Sequence, residues 1–539
     1  MDTEQDPSEA PPAKAPEGPR PPWVRDASIR RWCSWVHRDA RGPQAAPALT
    51  ALAPFDLSPV ASVPSCLPED VESAVAMAAA AQRRWVKVPP ARRARIALAF
   101  HDLLLDRQDQ VLDLIQWETG KARYHAWQEV AQVAALARHY ARRGARYLAP
   151  RRVRGMVPGL TRVEQRRVPR GVVGVVSPWN YPLYLGVGDV LPALLAGNGV
   201  VSKADPQAAL TMLWTRSLLH EAGLPGQLWR IVTGDGPVVG TALTDAVDFV
   251  CFTGSTTTGR TVAERAARRL TGASLELGGK NPLIVREDAD LPAAAAGTAV
   301  AAFANTGQMC IHVERVYVQE KVYEAFRDEL VRVTASLRLG ASYDYGADVG
   351  SLVSPAQLAA VRAHVEDALA KGATVLTGGR PRPDTGPLFH EPTVLEGVTP
   401  DMDVHAQETF GPVVSLYAYA TDEEAVALAN EGSYGLSASI WSKDTRQAAR
   451  MAGLIRAGSV NVNDGAAAAA GSVEAEMGGM GDSGLGRRHG AEGIRKYTQA
   501  QTVAVQRLLP LGPPPGRSAR EFVRRTNGQL SLLRRLGVR

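Results

Sequence analysis

The chain has 539 residues, too many for one compact core, and its 45% hydrophobic, 22% charged and 6% aromatic residues are typical of a globular protein with two or three domains. Its formal charge of +6 lies in residues 510–539, where seven arginines face one glutamate, so the body is neutral and no nucleic-acid-binding face is expected. Four cysteines without metal-ligand spacing argue against a disulfide framework and a zinc site, and they predict free thiols in a reducing, cytoplasmic compartment.

The N-terminal part of the chain is predicted to hold a leader followed by helices. Residues 1–28 are acidic and Pro-rich, without the apolar run of a secretory signal, so we expect a disordered leader. Apolar residues recur at three- and four-residue steps in 71–86 and 94–115, which predicts amphipathic helices in this region. Residues 151–170, rich in Arg and Val around a Pro-Gly turn, predict a hairpin arm outside the core.

From residue 171 onward, short apolar strands alternate with helical patterns, which is typical of a parallel sheet with crossover helices. The first set comprises strands Val172–Ser177, Gly199–Lys203, Trp229–Thr233 and Phe249–Thr253 with helices at 207–222 and 256–270. The second set comprises strands Pro282–Val285, Arg315–Val318 and others near Val375 and Val413, with a helix at 321–335. The Ala-rich run Leu291–Ala304 is too short to span a membrane and predicts a buried helix. The sequence thus predicts two successive α/β domains.

Trp179 and Asn180 are the first candidate site residues. They follow the apolar strand that ends at Ser177, and ligands in open α/β sheets gather at the carboxyl ends of strands. The Asn180 amide could donate a hydrogen bond to a developing oxyanion. The alternative is that Asn180 only caps the turn that follows the strand.

A glycine turn follows the strand that ends at Thr253. Gly254 and Ser255 open a helix, and a helix N-terminus favours a phosphate, although the pattern differs from the Gly-x-Gly-x-x-Gly fingerprint. Lys203, at the end of an earlier strand, could bond ribose hydroxyls. Each feature also has a plain structural explanation, as an ordinary turn or a solvated surface lysine.

Three further segments carry ionisable or nucleophilic residues. Glu276 lies between leucines, where a carboxyl pKa rises and suits a general base, unless the side chain faces solvent. Cys310 lies in a turn of small residues and is either a nucleophile with a stabilised thiolate or a buried apolar side chain. Glu408 and Phe410 precede a rigid Gly-Pro turn and could orient a nicotinamide ribose and ring.

Together these segments resemble the NAD(P)-dependent aldehyde dehydrogenases. The motifs Pro-Trp-Asn, Phe-Thr-Gly-Ser-Thr-x-x-Gly, Leu-Glu-Leu-Gly-Gly-Lys-Asn-Pro, Asn-x-Gly-Gln-x-Cys and Glu-x-Phe-Gly-Pro-Val occur in the order and at the spacing of that family. Trp117–Lys121 and Ser483–Arg487 extend the resemblance, which is closest to a bacterial succinate-semialdehyde dehydrogenase branch. It implies an α/β fold with a Rossmann-type cofactor domain, an α/β catalytic domain and a β-arm for oligomerisation.

The resemblance also implies a domain division and an assembly. The implied parts are a cofactor-binding domain at 29–150 and 171–280, an oligomerisation arm at 151–170 and 488–508, a catalytic domain at 281–487, and a basic tail at 509–539. A homodimer or homotetramer follows from the arm. Leucines interleave with arginines in residues 517–539, so the tail could lie on an anionic membrane surface. The alternatives are a flexible end or one that packs on a partner subunit.

A mechanism follows from the same resemblance. The Cys310 thiolate attacks an aldehyde, the Asn180 amide and the Cys310 N–H hold the oxyanion, hydride passes to nicotinamide, and water activated by Glu276 hydrolyses the thioester. Because that glutamate is present, a coenzyme-A-acylating outcome is disfavoured. The implied dinucleotide contacts are Trp179, Asn180, Lys203, Ala204, Asp205, Pro206, Gly254, Ser255, Leu277, Glu408 and Phe410. No metal is implied.

The loop after Lys203 bears on the choice of coenzyme. Many NAD-preferring relatives place a glutamate three residues after this lysine, where it binds both hydroxyls of the adenosine ribose, and here that position is Pro206. Without the carboxylate a 2′-phosphate is tolerated, so NADP is favoured over NAD, although Asp205 lies next to the position.

The closest branch implies succinate semialdehyde as the small-molecule substrate. Better known enzymes with this activity bind the distal carboxylate with arginines, at positions that here are Ala304 and Gly188. An unpaired carboxylate in an apolar pocket is unfavourable, so either another cation serves or the aldehyde is a less polar aliphatic or aromatic one. Two alternatives of other classes are a cofactor-independent thiol esterase that uses Cys310 and Glu276, and a non-enzymatic structural protein.

Overall fold

The computed structural model describes residues 20–36, 47–155, 161–506 and 512–537 of the chain. The chain divides into two compact units. The first comprises Met1–Tyr147 and Pro169–Tyr497, and it contains two large sheets. The second comprises Leu148–Val168 and Thr498–Arg539, and it contains a small sheet and the C-terminal helix.

The secondary structure of the described residues is mixed α and β. The α-helices are α1 (Asp26–Cys33), α2 (Pro68–Trp85), α3 (Pro90–Asp106), α4 (Gln108–Thr119), α5 (Arg123–Tyr147), α6 (Pro182–Leu195), α7 (Ala209–Glu221), α8 (Thr241–Ala246), α9 (Thr256–Arg268), α10 (Leu291–Phe303), α11 (Tyr323–Ala335), α12 (Pro355–Ala370), α13 (Asp403–Ala406), α14 (Asp422–Ala429), α15 (Thr445–Ala452), α16 (Ala467–Ala470), α17 (Glu492–Arg495) and α18 (Ala519–Arg535). The strands are β1 (Leu49–Leu52), β2 (Pro59–Val63), β3 (Arg151–Val153), β4 (Thr161–Pro169), β5 (Val172–Val176), β6 (Gly199–Lys203), β7 (Trp229–Val232), β8 (Phe249–Thr253), β9 (Gly272–Glu276), β10 (Asn281–Val285), β11 (Val313–Gln319), β12 (Thr374–Thr377), β13 (Thr393–Glu396), β14 (Val413–Tyr419), β15 (Ser437–Trp441), β16 (Ser459–Val462), β17 (Gly484–Leu485) and β18 (Thr498–Gln506).

A six-stranded sheet with the order β17-β9-β8-β5-β6-β7 forms the first layer. Its strands run parallel except β17, which is antiparallel to β9. From β5 the chain adds β6 and β7 on one side and then β8 and β9 on the other, so the strand order reverses beside β5. Ligands in such sheets bind at the carboxyl ends of the strands where the order reverses.

A seven-stranded sheet with the order β12-β13-β14-β11-β10-β15-β16 forms the second layer. Only β12 runs antiparallel to its neighbour, β13, among the described strands of this sheet. Its central strands β10 and β11 are buried along their whole length. Residues 282–285 of β10 are all apolar, as burial on both faces requires.

The predicted α/β class and its strand alternation are confirmed. Predicted and observed strands agree to within one or two residues in the first set, because buried parallel strands are continuous apolar runs that Gly and Pro interrupt. The sequence did not predict the short strands β1, β2, β13, β15 and β16. The predicted helix at Leu291–Ala304 is α10, but it is buried on one face only, since Val300 is 61% exposed.

The expected disordered leader at 1–28 differs from the structure in its last part. Residues 1–19 lie outside the described residues, whereas residues 20–28 are ordered. Val24 is buried, α1 begins at Asp26, and the Trp23 indole donates to Asp113 Oδ2 at 3.0 Å. The prediction was wrong here because the Pro-rich composition conceals apolar anchors that bury surface on the body.

The second unit holds a three-stranded sheet with the order β18-β4-β3, in which β3 and β4 are antiparallel. These strands lie in the predicted arm, and the turn between β3 and β4, at 156–160, lies outside the described residues. Helix α18 has no buried residue. None of the helices in the described part of the chain is long and apolar enough to cross a membrane.

Candidate active site

The loop that leads to Cys310 is held in an unusual backbone conformation. Asn305, Thr306 and Gly307 take φ values of 51°, 58° and 70° in succession. A non-glycine residue in this left-handed region is strained by about 1 kcal/mol or more, so neighbouring contacts must hold it. At Gly307 a Cβ would overlap the Gly411 carbonyl, so only glycine fits there.

The side chain of Gln308 closes this loop onto the protein body. Its Nε2 lies 3.2 Å from Asn305 O and 3.3 Å from Ser351 O, and its Oε1 accepts from Val353 N at 2.9 Å. Because Gln308 is fully buried, these bonds are not in competition with water. These bonds therefore fix the backbone that leads to Cys310, two residues later.

Asn180 is tied to the same loop. Its Nδ2 donates to the Gln308 carbonyl at 3.0 Å, and the Asn305 amide donates to that carbonyl at the same distance. A side-chain amide carries two N–H groups, so one remains for a ligand after this bond is made. The predicted oxyanion donor Asn180 is thus hydrogen-bonded to the loop that carries the predicted nucleophile Cys310.

A buried ion pair that the sequence analysis missed supports Asn180 from behind. Lys121, at the end of the quoted Trp117–Lys121 motif, is fully buried, and its Nζ lies 2.6 Å from Glu129 Oε1 and 2.6 Å from Asn180 O. The other oxygen of Glu129 accepts from Leu183 N and Tyr184 N, in the first turn of α6. A fully buried lysine is rare without a partner. This pair fixes the loop between β5 and α6.

The Cys310 thiol is half-buried against an apolar cluster that includes Ile311 and Met477. Burial, together with the negative charges of Glu408 and Glu276, raises its pKa to about 12. Near neutral pH the thiol is therefore protonated, which differs from the stabilised thiolate of the nucleophile interpretation. The four cysteines are free thiols, as predicted.

Glu276 ends β9 and is 3% exposed. Burial raises its pKa to about 7, against the opposing positive charges of Arg488 and Lys496. Its Oε1 has no hydrogen-bond partner among the described residues. The prediction of a glutamate with a raised pKa is confirmed, and the side chain does not face solvent. A carboxyl group with a pKa near 7 and a free oxygen is suited to proton transfer from water.

A second buried ion pair lies behind Glu276. Arg488 Nη2 donates to Asp189 Oδ2 and to Thr253 Oγ1, both at 2.6 Å. Asp189 Oδ1 accepts from Lys496 Nζ at 2.9 Å and from Tyr497 OH at 2.6 Å. The sequence analysis missed this cluster. The available signal was Asp189, a lone acid within the apolar helix α6.

The residues predicted to hold a dinucleotide line the carboxyl ends of β6 and β8. Lys203 ends β6 and is 7% exposed, and burial lowers its pKa. None of the described residues accepts a hydrogen bond from its ammonium within bonding distance, so this donor is available. Gly254 N donates to Glu276 O, and Ser255 Oγ caps α9 by accepting from Thr258 N. The first-turn amides of α9 can therefore face a phosphate.

The other predicted cofactor residues differ in whether their side chains are already engaged in contacts within the protein. Asp205 Oδ1 accepts from Gln207 N at 3.0 Å, so its carboxylate is engaged in the turn that Pro206 begins. Ala204 and Leu277 are buried, and Leu277 packs against Gly259 of α9. The ionisable groups on this side are therefore the Lys203 ammonium, the Asp205 carboxylate in the turn and the exposed carboxylate of Asp235, whose charge acts on Lys203.

Glu408 and Phe410 approach the site from the second sheet. Glu408 Oε1 accepts from Gly279 N at 3.0 Å, and burial together with the charge of Glu314 raises the pKa of Glu408 to about 7. Phe410 stands edge-on to Trp179, with ring centroids 5.8 Å apart. The contact brings together two residues that are 231 positions apart in the sequence (410 − 179).

A third buried ion pair, Lys280 with Glu314, holds that loop. Glu314 oxygens accept from Thr409 N at 2.9 Å and from Phe410 N at 3.3 Å, and His312 Nε2 lies 2.8 Å from Glu314 Oε1. No group of three or more His, Cys, Asp or Glu in the described ranges could hold a metal ion. The groups of the candidate site are thus a thiol (Cys310), two carboxyls with pKa values near 7 (Glu276 and Glu408) and an amide donor (Asn180).

Comparison with known proteins gives a consistent assignment. The profile of the aldehyde dehydrogenase family matches residues 42–503. A Mycolicibacterium smegmatis protein provisionally named as a succinate-semialdehyde dehydrogenase of the NADP(+) type is 50% identical over 455 residues, covering 84% of this chain and 88% of the relative. The Acinetobacter baylyi succinate semialdehyde dehydrogenase is 34% identical, covering 81% of this chain and 90% of the relative.

Comparison with solved structures supports the same family assignment. The crystal structure of an NAD-dependent aldehyde dehydrogenase from Sinorhizobium meliloti superposes with a TM-score of 0.83 at 34% identity and covers 90% of this chain and 98% of that chain. An Escherichia coli NADP-dependent enzyme superposes with the same TM-score at 31% identity and covers 88% of this chain and 96% of that chain.

The electrostatics of Cys310 lead to a prediction about its reactivity. Alkylation by iodoacetamide requires the thiolate, and an ionised Glu408 raises the thiol pKa, so Glu408→Gln should raise the thiolate fraction at about pH 8. The amide oxygen of glutamine can still accept from Gly279 N. We expect several-fold faster alkylation of Cys310, measured by mass spectrometry of the modified peptide.

The control is Glu366→Gln, on an exposed position of α12, which should leave the rate unchanged. An equal or slower rate in Glu408→Gln would show that the carboxylate does not set the thiol pKa.

Proposed function

The chain belongs to the aldehyde dehydrogenase family, so it is an oxidoreductase that uses NAD or NADP, and we propose that it oxidises succinate semialdehyde to succinate with NADP as the preferred coenzyme. The observation that supports the proposal is the hydrogen bond from Asn180 Nδ2 to the carbonyl two residues before Cys310, together with the electrostatic effect of Glu276 on the Cys310 thiol. The family sets aside the cofactor-independent thiol esterase and the structural protein.

Cys310 begins the reaction. Its Sγ adds to the aldehyde carbon, the carbonyl π-electrons move to oxygen, and the thiol proton leaves to a carboxylate. Glu276 and Glu408, each with a pKa of about 7, are both available as acceptors near neutral pH. The second N–H of the Asn180 amide and the backbone N–H of Cys310 stabilise the oxyanion.

A nicotinamide coenzyme held here would supply the hydride acceptor, and Cys310 would carry the acyl group as a thioester once the aldehydic hydrogen has left with its two electrons. Lys203 would hold the adenosine ribose, the first turn of α9 the pyrophosphate, and Glu408 the nicotinamide ribose. These residues fit that group, because the Lys203 ammonium and the second oxygen of Glu408 are not committed to other described residues.

Glu276 completes the cycle. Its unpartnered Oε1 takes a proton from a water, the hydroxyl oxygen bonds to the acyl carbon, and the C–S bond breaks to release the carboxylic acid and the Cys310 thiol. A base with a pKa of about 7 is largely deprotonated above neutral pH, which favours this step there.

The coenzyme preference is supported by the loop after Lys203. Pro206 supplies no carboxylate, and the Asp205 carboxylate already accepts from Gln207 N. Without a carboxylate at position 206, a 2′-phosphate can meet the Lys203 ammonium, an arrangement that favours NADP.

The substrate proposal has one rival. The relatives' names support succinate semialdehyde. In contrast, the buried cations around the site are already paired, Lys121 with Glu129 and both Arg488 and Lys496 with Asp189. This pairing favours a less polar aliphatic or aromatic aldehyde, because a distal carboxylate finds no free cation among these residues.

A panel of aldehydes with both coenzymes decides between these candidates. We expect succinate semialdehyde with NADP to give the highest kcat/KM, about tenfold above any uncharged aldehyde of similar length. A higher kcat/KM for plain aliphatic or aromatic aldehydes would contradict the substrate proposal. The variant Pro206→Glu tests the coenzyme part of the proposal, and it should shift the coenzyme preference toward NAD.

An assembly and a location are also proposed. The small sheet leaves β18 at an edge, with most of its nine residues exposed, and an exposed strand edge is a template for pairing with another chain. We propose a homodimer or homotetramer in the cytoplasm, which light scattering of the purified protein can test.

The tail helix α18 is proposed to lie on an anionic lipid surface. Val523 and Leu530 are 52% and 43% exposed, and with Phe522 and Leu533 they form one apolar face. The tail carries seven arginines and one glutamate, and it lies beyond the residues matched by the family profile. An amphipathic helix with an arginine-rich polar face fits an anionic interface.

Vesicle co-sedimentation of the full chain tests this role. Each basic residue near an anionic surface contributes about 1 kcal/mol, so replacing three arginines by glutamine should weaken binding to phosphatidylglycerol vesicles roughly a hundredfold. The replaced arginines are Arg520, Arg524 and Arg525. The control set, on exposed body positions, is Arg332, Arg362 and Arg450. Equal binding to phosphatidylcholine vesicles, or no effect of the tail substitutions, would contradict the proposal.

A further inference from the structure

Tyr184 lies one helical turn after Asn180, in the first turn of α6. It is 8% exposed, and negative charge on Glu276 and on Cys310 acts on its phenol, which places the ring within electrostatic range of both groups. The mechanism described above leaves this hydroxyl without a role. The question is what a buried phenol beside the thiol and the base can bind.

The Tyr184 oxygen lies 2.7 Å from His489 Nε2, and no other hydrogen bond of this hydroxyl is found among the described residues. His489 is 4% exposed, and its Nδ1 has no partner in the described part of the chain. Burial, with help from Arg488 and Lys496, lowers the pKa of His489 to about 4, so the ring is neutral near pH 7.

A neutral imidazole carries one proton, and its position follows from the contacts. A buried donor without a partner is less tolerated than a buried acceptor without one, so the proton belongs on Nε2 rather than on the unpartnered Nδ1. His489 Nε2 then donates to the Tyr184 oxygen. The hydroxyl proton of Tyr184 is left free to be donated to another acceptor.

Gly188, one turn further along α6, leaves room beside the ring. Apart from its chain neighbours and the surrounding helix backbone, the nearest described atom to a Cβ built there is Tyr184 Cε2, at 4.0 Å. Gly188 has no side chain that could fill this room. The neighbouring cations Lys121 and Arg488 each have a carboxylate partner already.

We propose that the Tyr184 hydroxyl, oriented by His489, binds the carboxylate at the distal end of the substrate, in the space left by Gly188. Tyr184 is then a specificity-determining residue and His489 a positioning residue. The inference rests on the proposed substrate, and it gives the carboxylate a hydrogen-bond donor where the neighbouring cations Lys121 and Arg488 are already paired. A hydrogen bond to a charged acceptor is worth roughly a ten- to hundredfold change in binding.

The test compares succinate semialdehyde with 4-methylpentanal, in which an isopropyl group replaces the carboxylate at nearly the same shape. Tyr184→Phe should lower the ratio of the two kcat/KM values at least about tenfold, mainly through a higher KM for succinate semialdehyde. Tyr419→Phe is the matched control, because it removes one buried hydroxyl, bonded to Val285 O, in the second sheet. It should leave the ratio as in the wild type.

Two variants of His489 separate orientation from folding. His489→Gln can present an amide nitrogen near the position of Nε2 and should keep most of the wild-type ratio, whereas His489→Leu should lower it in the direction of Tyr184→Phe. An equal ratio in His489→Leu and the wild type overturns the positioning role.

The outcomes for the subsite and for the proposed function are distinguishable. A wild-type preference for succinate semialdehyde that Tyr184→Phe retains overturns the subsite and leaves the proposed function standing. A wild-type preference for 4-methylpentanal overturns the proposed substrate and the subsite together.

Discussion

Three buried ion pairs around the candidate site are the constraint on which the site depends. Lys121 with Glu129 holds the Asn180 loop, Lys280 with Glu314 holds the loop of Glu408 and Phe410, and Asp189 with Arg488 holds the strand end beside Glu276. Removing one partner from such a pair leaves an uncompensated buried charge and destabilises a protein by about 3–5 kcal/mol. Each pair therefore fixes one wall of the site rigidly, at a desolvation cost that a purely apolar core would not have.

The groups that we propose to carry the chemistry are those that the pairs leave uncompensated. Cys310, Glu276 and Glu408 have pKa values raised mainly by burial, and Glu276 retains an oxygen without a partner. A protonated thiol is less reactive than a thiolate, and carboxyl groups near pKa 7 can both accept and release protons. Satisfied pairs supply the geometry, and unsatisfied groups supply the reactivity.

The α/β layers could be predicted from the sequence because buried parallel strands are local runs of apolar residues, as in β5, β6 and β8. The predicted order of site motifs likewise placed Asn180, Glu276 and Cys310 in one family pattern. The ion pairs could not be predicted, since their partners are far apart in the chain: Asp189 and Arg488 are separated by 299 positions. The ordered segment at 20–28 was missed because composition conceals single apolar anchors, and the thiol pKa depends on burial that no local pattern shows.

In the proposed mechanism, Cys310 carries the acyl group and Glu276 releases it. Intact-protein mass spectrometry of Glu276→Gln, mixed with succinate semialdehyde and NADP, separates these two roles. We expect a covalent adduct with the mass of one acyl group to accumulate, the modified peptide to contain Cys310, and Cys310→Ser in the same background to abolish the adduct. Sustained turnover by Glu276→Gln without any adduct would contradict this mechanism.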